Sequence, residues 1–251
     1  FSSLLKAINL SETANALISK NGLKFCSQES KSLQANAYLP SDMFKSFIFN
    51  GNPSTFCISL NILLNCVNEF TLYRDDNIFS PIVLRYQSAS SPFEIELEEF
   101  GVITKCMIRT REPGDILDFS FNPEHVVNKF IMKSEFMKET FQELDSSSAC
   151  IEIFMCPIKE ILRISTKGRY GASYVEFARK SDAVEFWQCN QLQEYRYRIQ
   201  LVKPSTKALS ISKKFSIRID HRGFLSLQHM VLDQNSQPCF FEFLCSPEVV
   251  L

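Results

Sequence analysis

Residues Thr110–Glu124, TREPGDILDFSFNPE, constrain this chain more than any other stretch, because the sequence on either side of them describes one architecture twice. Pro113, Gly114 and Pro123 interrupt the segment. Proline removes a backbone donor and glycine loosens φ, and the segment has neither the alternation of a strand nor the period of a helix. The reading is an N-terminal domain at 1–109, a connector at 110–124 and a C-terminal domain at 125–251. Halves of about 125 residues match the common size of a domain.

Each half reads as helix, strands, short helix, strands. In the first, Ser2–Leu10 carries Leu4, Leu5 and Ile8 on one face, and Asn21-Gly22 signals a hairpin. Phe44–Phe49 alternates as a strand. Leu60–Phe70 sets Leu60, Leu63, Leu64 and Val67 against Asn61, Asn65 and Asn68. Strands Pro81–Gln87, Phe93–Glu98 and Val102–Arg109 close the half. In the second half, Val126–Met132 reads as a strand and Ser134 as the N-cap of a helix through Leu144. Strands include Ala172–Phe177 and Tyr195–Gln200, and a helix spans Lys203–Ser210 with Pro204 near its first turn. Lys214–Asp220, Phe224–Leu232 and Cys239–Cys245 end the chain as strands. CISLNILLNCV (57–67) answers YRIQLVKPSTKAL (197–209), a two-fold internal repeat. The fold class is α+β, with antiparallel sheets whose short helices cover one side. Val102–Ile108 and Ala172–Phe177 are then left as open sheet edges, which invite pairing with another chain and suggest a subunit of a closed ring.

Net charge is −1, so contact with nucleic acid would need a local patch. The nine cysteines include no CxxC pair and sit in apolar patterns, as expected of reduced, buried thiols in cytosol or nucleus. No apolar run is long enough to span a membrane, and no signal peptide is visible. The first residue is Phe1, inside the first helix pattern, so a leading segment is expected ahead of it.

The pattern resembles that of the PCNA-like sliding DNA clamps, and within them the Rad-one family of nine-one-one checkpoint clamp subunits. The resemblance rests on NGLKF (21–25), KSLQANAYL (31–39), EEFGVITKC (98–106), LDFSF (117–121), KPSTKAL (203–209) and SIRIDHRGFLSLQHM (216–230). It implies a non-catalytic subunit of a heterotrimeric ring with Rad-nine and Hus-one subunits. It also implies a clamp loader acting at damaged DNA, double-stranded DNA passing through the hole without base readout, a role in checkpoint signalling, a nuclear location and no cofactor.

On that reading Lys6, Lys133, Lys138, Lys203 and Lys207, with Asn61 and Asn65, face DNA. Lys138 stands among Glu135, Glu139 and Glu143, so Lys203 and Lys207 make the better pair. Val102, Thr104, Cys106 and Ile108 on one edge, and Ala172, Tyr174, Val175 and Phe177 on the other, form subunit interfaces. The resemblance further implies a client-peptide groove lined by Leu33, Leu117, Phe119, Phe243 and Leu244, the client being open. Two other readings compete. Glu94, Glu96 and Glu98 share a strand face, as the carboxylates of a metal-dependent 3′–5′ exonuclease would, with Asp75-Asp76 in a polar loop. The same alternation describes a solvated strand face. The alternative to both is an interaction scaffold that never touches DNA. His125, His221 and His229 have no metal-ligand spacing, Asp220-His221-Arg222-Gly223 reads as a hairpin turn, and no phosphate-binding glycine loop occurs.

Overall fold

The computed structural model describes residues 2–72, 82–99, 101–116, 118–145, 147–169, 171–232 and 236–248. Its chain divides into two compact units, Phe1–Gln28 with Asn36–Ile116, and Glu29–Ala35 with Leu117–Leu251. The division falls inside the connector, and a short piece of the first half joins the second unit.

The first part of the chain runs α1 (Ser2–Ala7), β1 (Thr13–Ser19), β2 (Gly22–Glu29), β3 (Leu33–Pro40), β4 (Ser54–Ser59), α2 (Leu60–Leu72), β5 (Ile82–Arg85), β6 (Phe93–Glu99) and β7 (Val102–Ile108). The second part runs β8 (Val126–Lys133), α3 (Ser134–Glu143), β9 (Cys150–Cys156), β10 (Ile161–Gly168), β11 (Gly171–Ala178), β12 (Val184–Cys189), β13 (Gln193–Arg198), α4 (Ile199–Ala208), β14 (Lys214–Asp220), β15 (Leu225–Leu232) and β16 (Pro238–Cys245). The ladders whose registers are resolved are antiparallel.

Strand order repeats between the units. β4-β1-β2-β3 has the order of β13-β9-β10-β11, and β5-β6-β7 that of β14-β15-β16. α2 follows β4 as α4 follows β13. Inside the second unit β16 is bordered by β3, whose opening residues Leu33–Ala35 fall in that unit, and the Ser246 N–H donates to the Ser32 carbonyl at 3.1 Å. β7 and β11, the counterparts of β16 and β3, are terminal strands of their sheets.

In the first unit α1 and α2 pack on each other, and α2 also touches β1, β4 and β7. Leu60, Leu63, Leu64 and Val67 are buried on the predicted face of α2, as are Leu4, Leu5 and Ile8 of the first segment. Full burial of such side chains contributes about 1.5–3 kcal/mol each. Phe56 stacks on Tyr86 at 4.1 Å and meets Phe93 at 5.8 Å. Asn21-Gly22 does end a hairpin, but Ser19 faces Gly22, so Lys20 and Asn21 form the turn. Gly22, at φ 123°, is needed for another reason: a Cβ there would lie 2.1 Å from the Leu39 carbonyl oxygen. The strand expected at Phe44–Phe49 does not form; no ladder takes up that segment, and Phe44 and Phe47 instead pair their rings at 5.5 Å.

In the second unit α3 lies on β8 and β14, and α4 on β13 and β16. Ser134 is the first helical residue rather than the cap. Its buried hydroxyl accepts from Ser212 Oγ at 2.9 Å, which removes it from capping geometry. α4 begins at Ile199, so Pro204 sits mid-helix, and the Gln200 carbonyl lacks its usual donor four residues on. Asn128, fully buried, is saturated: it donates to the Gln191 carbonyl and Gln193 Oε1, both at 2.8 Å, and accepts from the Asn190 N–H at 2.9 Å.

His229 lies at the centre of this core, stacked on Phe241 at 4.7 Å and edge-on to Phe215 and Phe243 at 4.9 and 5.9 Å. Its Nδ1 is 3.3 Å from Ser212 Oγ, and its buried Nε2 has no hydrogen-bond partner among the described residues. Burial pushes its pKa down to about 3. The sign follows: the unfolded chain takes up this proton near pH 6.5 and the folded chain does not, so stability present above pH 6.5 is lost as pH falls toward 3. Between pH 6.5 and 5, above the range of most carboxylates, the loss should reach about 2 kcal/mol. Urea melts across that interval should show it in the wild type and should be nearly flat for His229→Phe; equal slopes would refute the assignment.

Candidate functional site

The sheet margins come first. β7 pairs only with β6 and β11 only with β10 among the described residues. An outer strand without a second neighbour leaves alternate N–H and C=O groups directed outward. On β7, Val102 and Thr104 are exposed, Cys106 is half-buried and Ile108 is buried. On β11, Ala172 and Tyr174 are exposed, Val175 is half-buried opposite Ile164, and Phe177 is buried against Phe130 at 5.9 Å. Ile108 and Phe177 are therefore core side chains of their own sheets, because strand alternation turns them inward. Their strands can offer backbone at those positions but not side chains.

The helix-borne polar residues are presented singly. Lys6 is exposed on α1, and Asn61 and Asn65 on α2. Asn68 is spent inside the unit, accepting from Ser2 Oγ at 2.7 Å, and Asn61 accepts from Asn9 at 3.4 Å. Lys133 is exposed at the end of β8, and Lys138 is exposed on α3 beside the exposed Glu135, Glu139 and Glu143. Lys203 and Lys207 are exposed one turn apart on α4, whose Val202, Ser205 and Ala208 are buried. Sequence reasoning missed Lys213 and Lys214. The β8–β14 register sets Lys214 directly opposite Lys133, and Lys214 is offset by Glu185 at 2.5 Å. The cue was the strand pairing, not any local motif.

The connector is tied at both ends. Within the first unit, Asn15 Nδ2 donates to the Gly114 carbonyl at 2.7 Å and the Gly114 N–H donates back at 3.2 Å. Cys57 and Arg111 exchange both backbone bonds at 2.9 Å. Within the second unit, Arg222 Nη2 donates to the carbonyls of Phe119 at 2.9 Å and Ser120 at 3.2 Å. The Asp220 carboxylate, buried, accepts from the N–H groups of Arg222 and Phe224, both at 2.9 Å, and from the Arg222 guanidinium at 2.7 Å. Tyr197 donates to the Gly223 carbonyl at 2.8 Å. Gly223 has φ 84°, and a Cβ there would meet the Tyr195 ring at 2.5 Å. Asp220-His221-Arg222-Gly223 is thus the clasp that holds the connector.

Of the residues expected to line the groove, four are core side chains of the second unit. Leu33, Phe119, Phe243 and Leu244 are all buried, Phe119 edge-on to Phe224 at 5.6 Å, and Leu117 lies outside the described residues. What stays open is a shallow cavity beside the clasp, lined by Asp118, Phe121, Pro123, His125 and His221 among others. His125 and His221 meet edge to face at 6.2 Å.

The remaining chemistry-bearing groups are committed elsewhere. Glu96 is clamped by Arg85 at 2.7 Å and Lys105 at 2.9 Å, and those bonds hold its carboxyl down to about 2. Glu94 and Glu98 share its face. Both cations sit on Glu96, so the central carboxylate of the row is already paired and not free to bind a metal ion. Asp75 and Asp76 lie outside the described residues. Burial pushes the thiols of Cys66 and Cys245 up to about 12, far from a nucleophilic thiolate. Among the described residues no three His, Cys, Asp or Glu side chains converge as a metal set would.

Comparison with known proteins gives a consistent picture. The profile of the family described as "Repair protein Rad1/Rec1/Rad17" matches residues 1–231. The chain is similar to "Cell cycle checkpoint protein RAD1" of Homo sapiens, 42% identical over 247 residues, covering 98% of this chain and 88% of that protein. It is 27% identical over 266 residues to "DNA damage checkpoint control protein rad1" of Schizosaccharomyces pombe, covering 98% and 82%. It is 24% identical over 216 residues to "DNA repair exonuclease REC1" of Mycosarcoma maydis, covering 65% and 47%.

The clasp yields a measurable expectation. Asp220→Ala strands buried donors, and should cost about 2–4 kcal/mol of stability in denaturant melts. Arg222→Ala should cost less but speed proteolysis within residues 118–122. A connector equally resistant in Arg222→Ala and wild type would contradict the role given to this side chain.

Proposed function

Because the chain belongs to the Rad1/Rec1/Rad17 repair protein family and has the PCNA-like clamp fold of that family, we propose that it is one subunit of a heterotrimeric ring completed by Rad-nine and Hus-one subunits. A clamp loader places that ring on damaged DNA, and in the nucleus it serves as a platform for checkpoint and repair proteins. The observation that carries the reading is the repeat of strand order. β16 has β3 beside it, while their counterparts β7 and β11 have no such neighbour among the described residues. Supplying each with a strand from a different neighbour would extend one rule of assembly around a ring.

Val102, Thr104 and Cys106 on β7, with Ala172 and Tyr174 on β11, are the interface side chains of this reading, and Ile108, Val175 and Phe177 hold the margins from within. Lys203 and Lys207 face DNA, with Lys6, Lys133, Lys138, Asn61 and Asn65 in weaker supporting roles. They approach phosphates as mobile charges that read no base. The subunit is non-catalytic in this proposal. The exonuclease name of one relative keeps an enzymatic reading in view, and the pairing of Glu96 with Arg85 and Lys105 argues against it.

Thr104→Glu with Tyr174→Glu tests assembly. The chain should stay folded, and light scattering on mixtures with the two partner subunits should show loss of the trimer; normal assembly would sink the edge assignment. The same wild-type trimer incubated with Mg²⁺ should leave DNA uncut. Lys203→Glu with Lys207→Glu should weaken retention on end-blocked circular DNA and lower the slope of log affinity against log salt by about 0.9 for each phosphate no longer neutralised. An unchanged slope would return both lysines to plain solvated surface, as the scaffold reading requires.

A further inference from the structure

The two units repeat more than strand order: they repeat the cross-strand rows on one face of the β5-β6-β7 and β14-β15-β16 sheets. In the first unit one row is Arg85, Glu94 and Met107, the next is Val83, Glu96 and Lys105, and a third pairs Glu98 with Ile103. In the second unit the matching rows are Arg218, Ser226 and Leu244, then Ser216, Gln228 and Glu242, then Lys214, Met230 and Phe240. Each face begins a row with arginine and ends it with a long apolar side chain. Each then sets a charged residue and a second large apolar one further along the last strand.

The faces differ in what lies on them. In the second unit the connector crosses the arginine, and the Phe121 ring sits 5.5 Å from the Arg218 guanidinium carbon. Ser226 and Glu242 both bond that guanidinium, and Leu244 is only 8% exposed. In the first unit Met107 is 62% exposed and Ile103 59%. The Arg85 side chain stays 43% exposed although it is paired with Glu96 at 2.7 Å. Glu94 and Glu98 have no ion pair among the described residues, so three carboxylates against two cations leave the face acidic. Ile103 and Met107 lie bare on either side of Lys105 on β7, where the second unit has Phe240 and Leu244 on either side of Glu242.

We propose that the β5-β6-β7 face docks an extended segment of another protein, which lies on the first unit as connector residues 118–122 lie on the second. The chemistry of that segment follows from the rows: an aromatic side chain over Arg85, an apolar one on Met107 and Ile103, and a basic one against Glu94 and Glu98. The registers, the exposures and the connector's place on the second unit carry this proposal. It holds whether or not β7 takes a neighbour's strand, because an added strand would extend the sheet and leave its faces free.

The probe is the connector's own sequence with its charge altered: a fluorescein-labelled peptide of residues 115–125, DILDFSFNPEH, carrying Asp115→Lys and Asp118→Lys. Titrated with the 251-residue chain, it should bind saturably, and amide shifts should move in β5, β6 and β7. Ile103→Ser with Met107→Ser should weaken binding by about tenfold or more, and Arg85→Ala by about threefold. Both variants alter exposed side chains, and unchanged melting midpoints would confirm their folding. Raising NaCl to about 0.5 M should weaken the wild-type complex by screening the two carboxylates. Absence of saturable binding, equal binding by the Ile103/Met107 variant, or shifts confined to residues 118–122 and 222 would overturn the proposal. So would concentration-dependent dimerisation of the wild type that the same variant abolishes, since the face would then belong to a second copy of this chain.

Discussion

Backbone hydrogen bonding at the sheet margins sets the terms for everything else in this molecule. A strand inside a sheet satisfies both rows of its N–H and C=O groups; a terminal strand leaves one row to water. β16 and β3 fall in the first class, β7 and β11 in the second. The two states coexist in a chain whose halves otherwise share one plan. Burial follows from this: side chains of the marginal strands that point inward, such as Ile108 and Phe177, are buried with the core. Those at the rim, such as Val102 and Tyr174, stay largely exposed, Tyr174 with only the Arg163 guanidinium over its ring at 5.3 Å.

The connector introduces the asymmetry between the units. It is bound in the first unit by paired backbone bonds at Arg111 and by Asn15, and in the second by Arg222, which depends on the buried Asp220 carboxylate. The second unit thereby gains a cover over Arg218, and the first keeps its equivalent face bare. One element serves as tether on one side and as packing on the other.

Much of this architecture was legible in the sequence because burial imposes period. The 3.6 period of Leu60, Leu63, Leu64 and Val67 located α2, and the alternation of Val102–Ile108 located β7. The start of α4 was not legible. The tyrosine–arginine alternation of YRYR continues apolar through Ile199 and Leu201, and the Ile199 N–H still bonds the Ala149 carbonyl as the next rung of the β13–β9 ladder, although Ile199 already opens the helix. Phe44–Phe49 misled in the opposite sense, since alternation without an available partner strand makes a loop. The surroundings of Phe119 were not legible for a third reason. Arg222 reaches carbonyls about a hundred positions earlier, and no local pattern announces a side chain that ties down the connector from so far along the chain. Similarly, Glu94, Glu96 and Glu98 were visible as a row, but that Arg85 and Lys105 flank Glu96 is a property of register.

The open margins bear on how such a chain is kept in a cell. Strands rich in valine, isoleucine and tyrosine with a free hydrogen-bonding row are templates for indiscriminate accretion, and the described residues include two of them. Charged residues such as Lys105 and Glu176 at these rims slow that process without abolishing it. In the proposed ring, supply of the chain is matched to supply of the subunits that cover these margins, with surplus copies falling to chaperones and proteases. The proposed assembly thereby makes stoichiometry a matter of proteostasis.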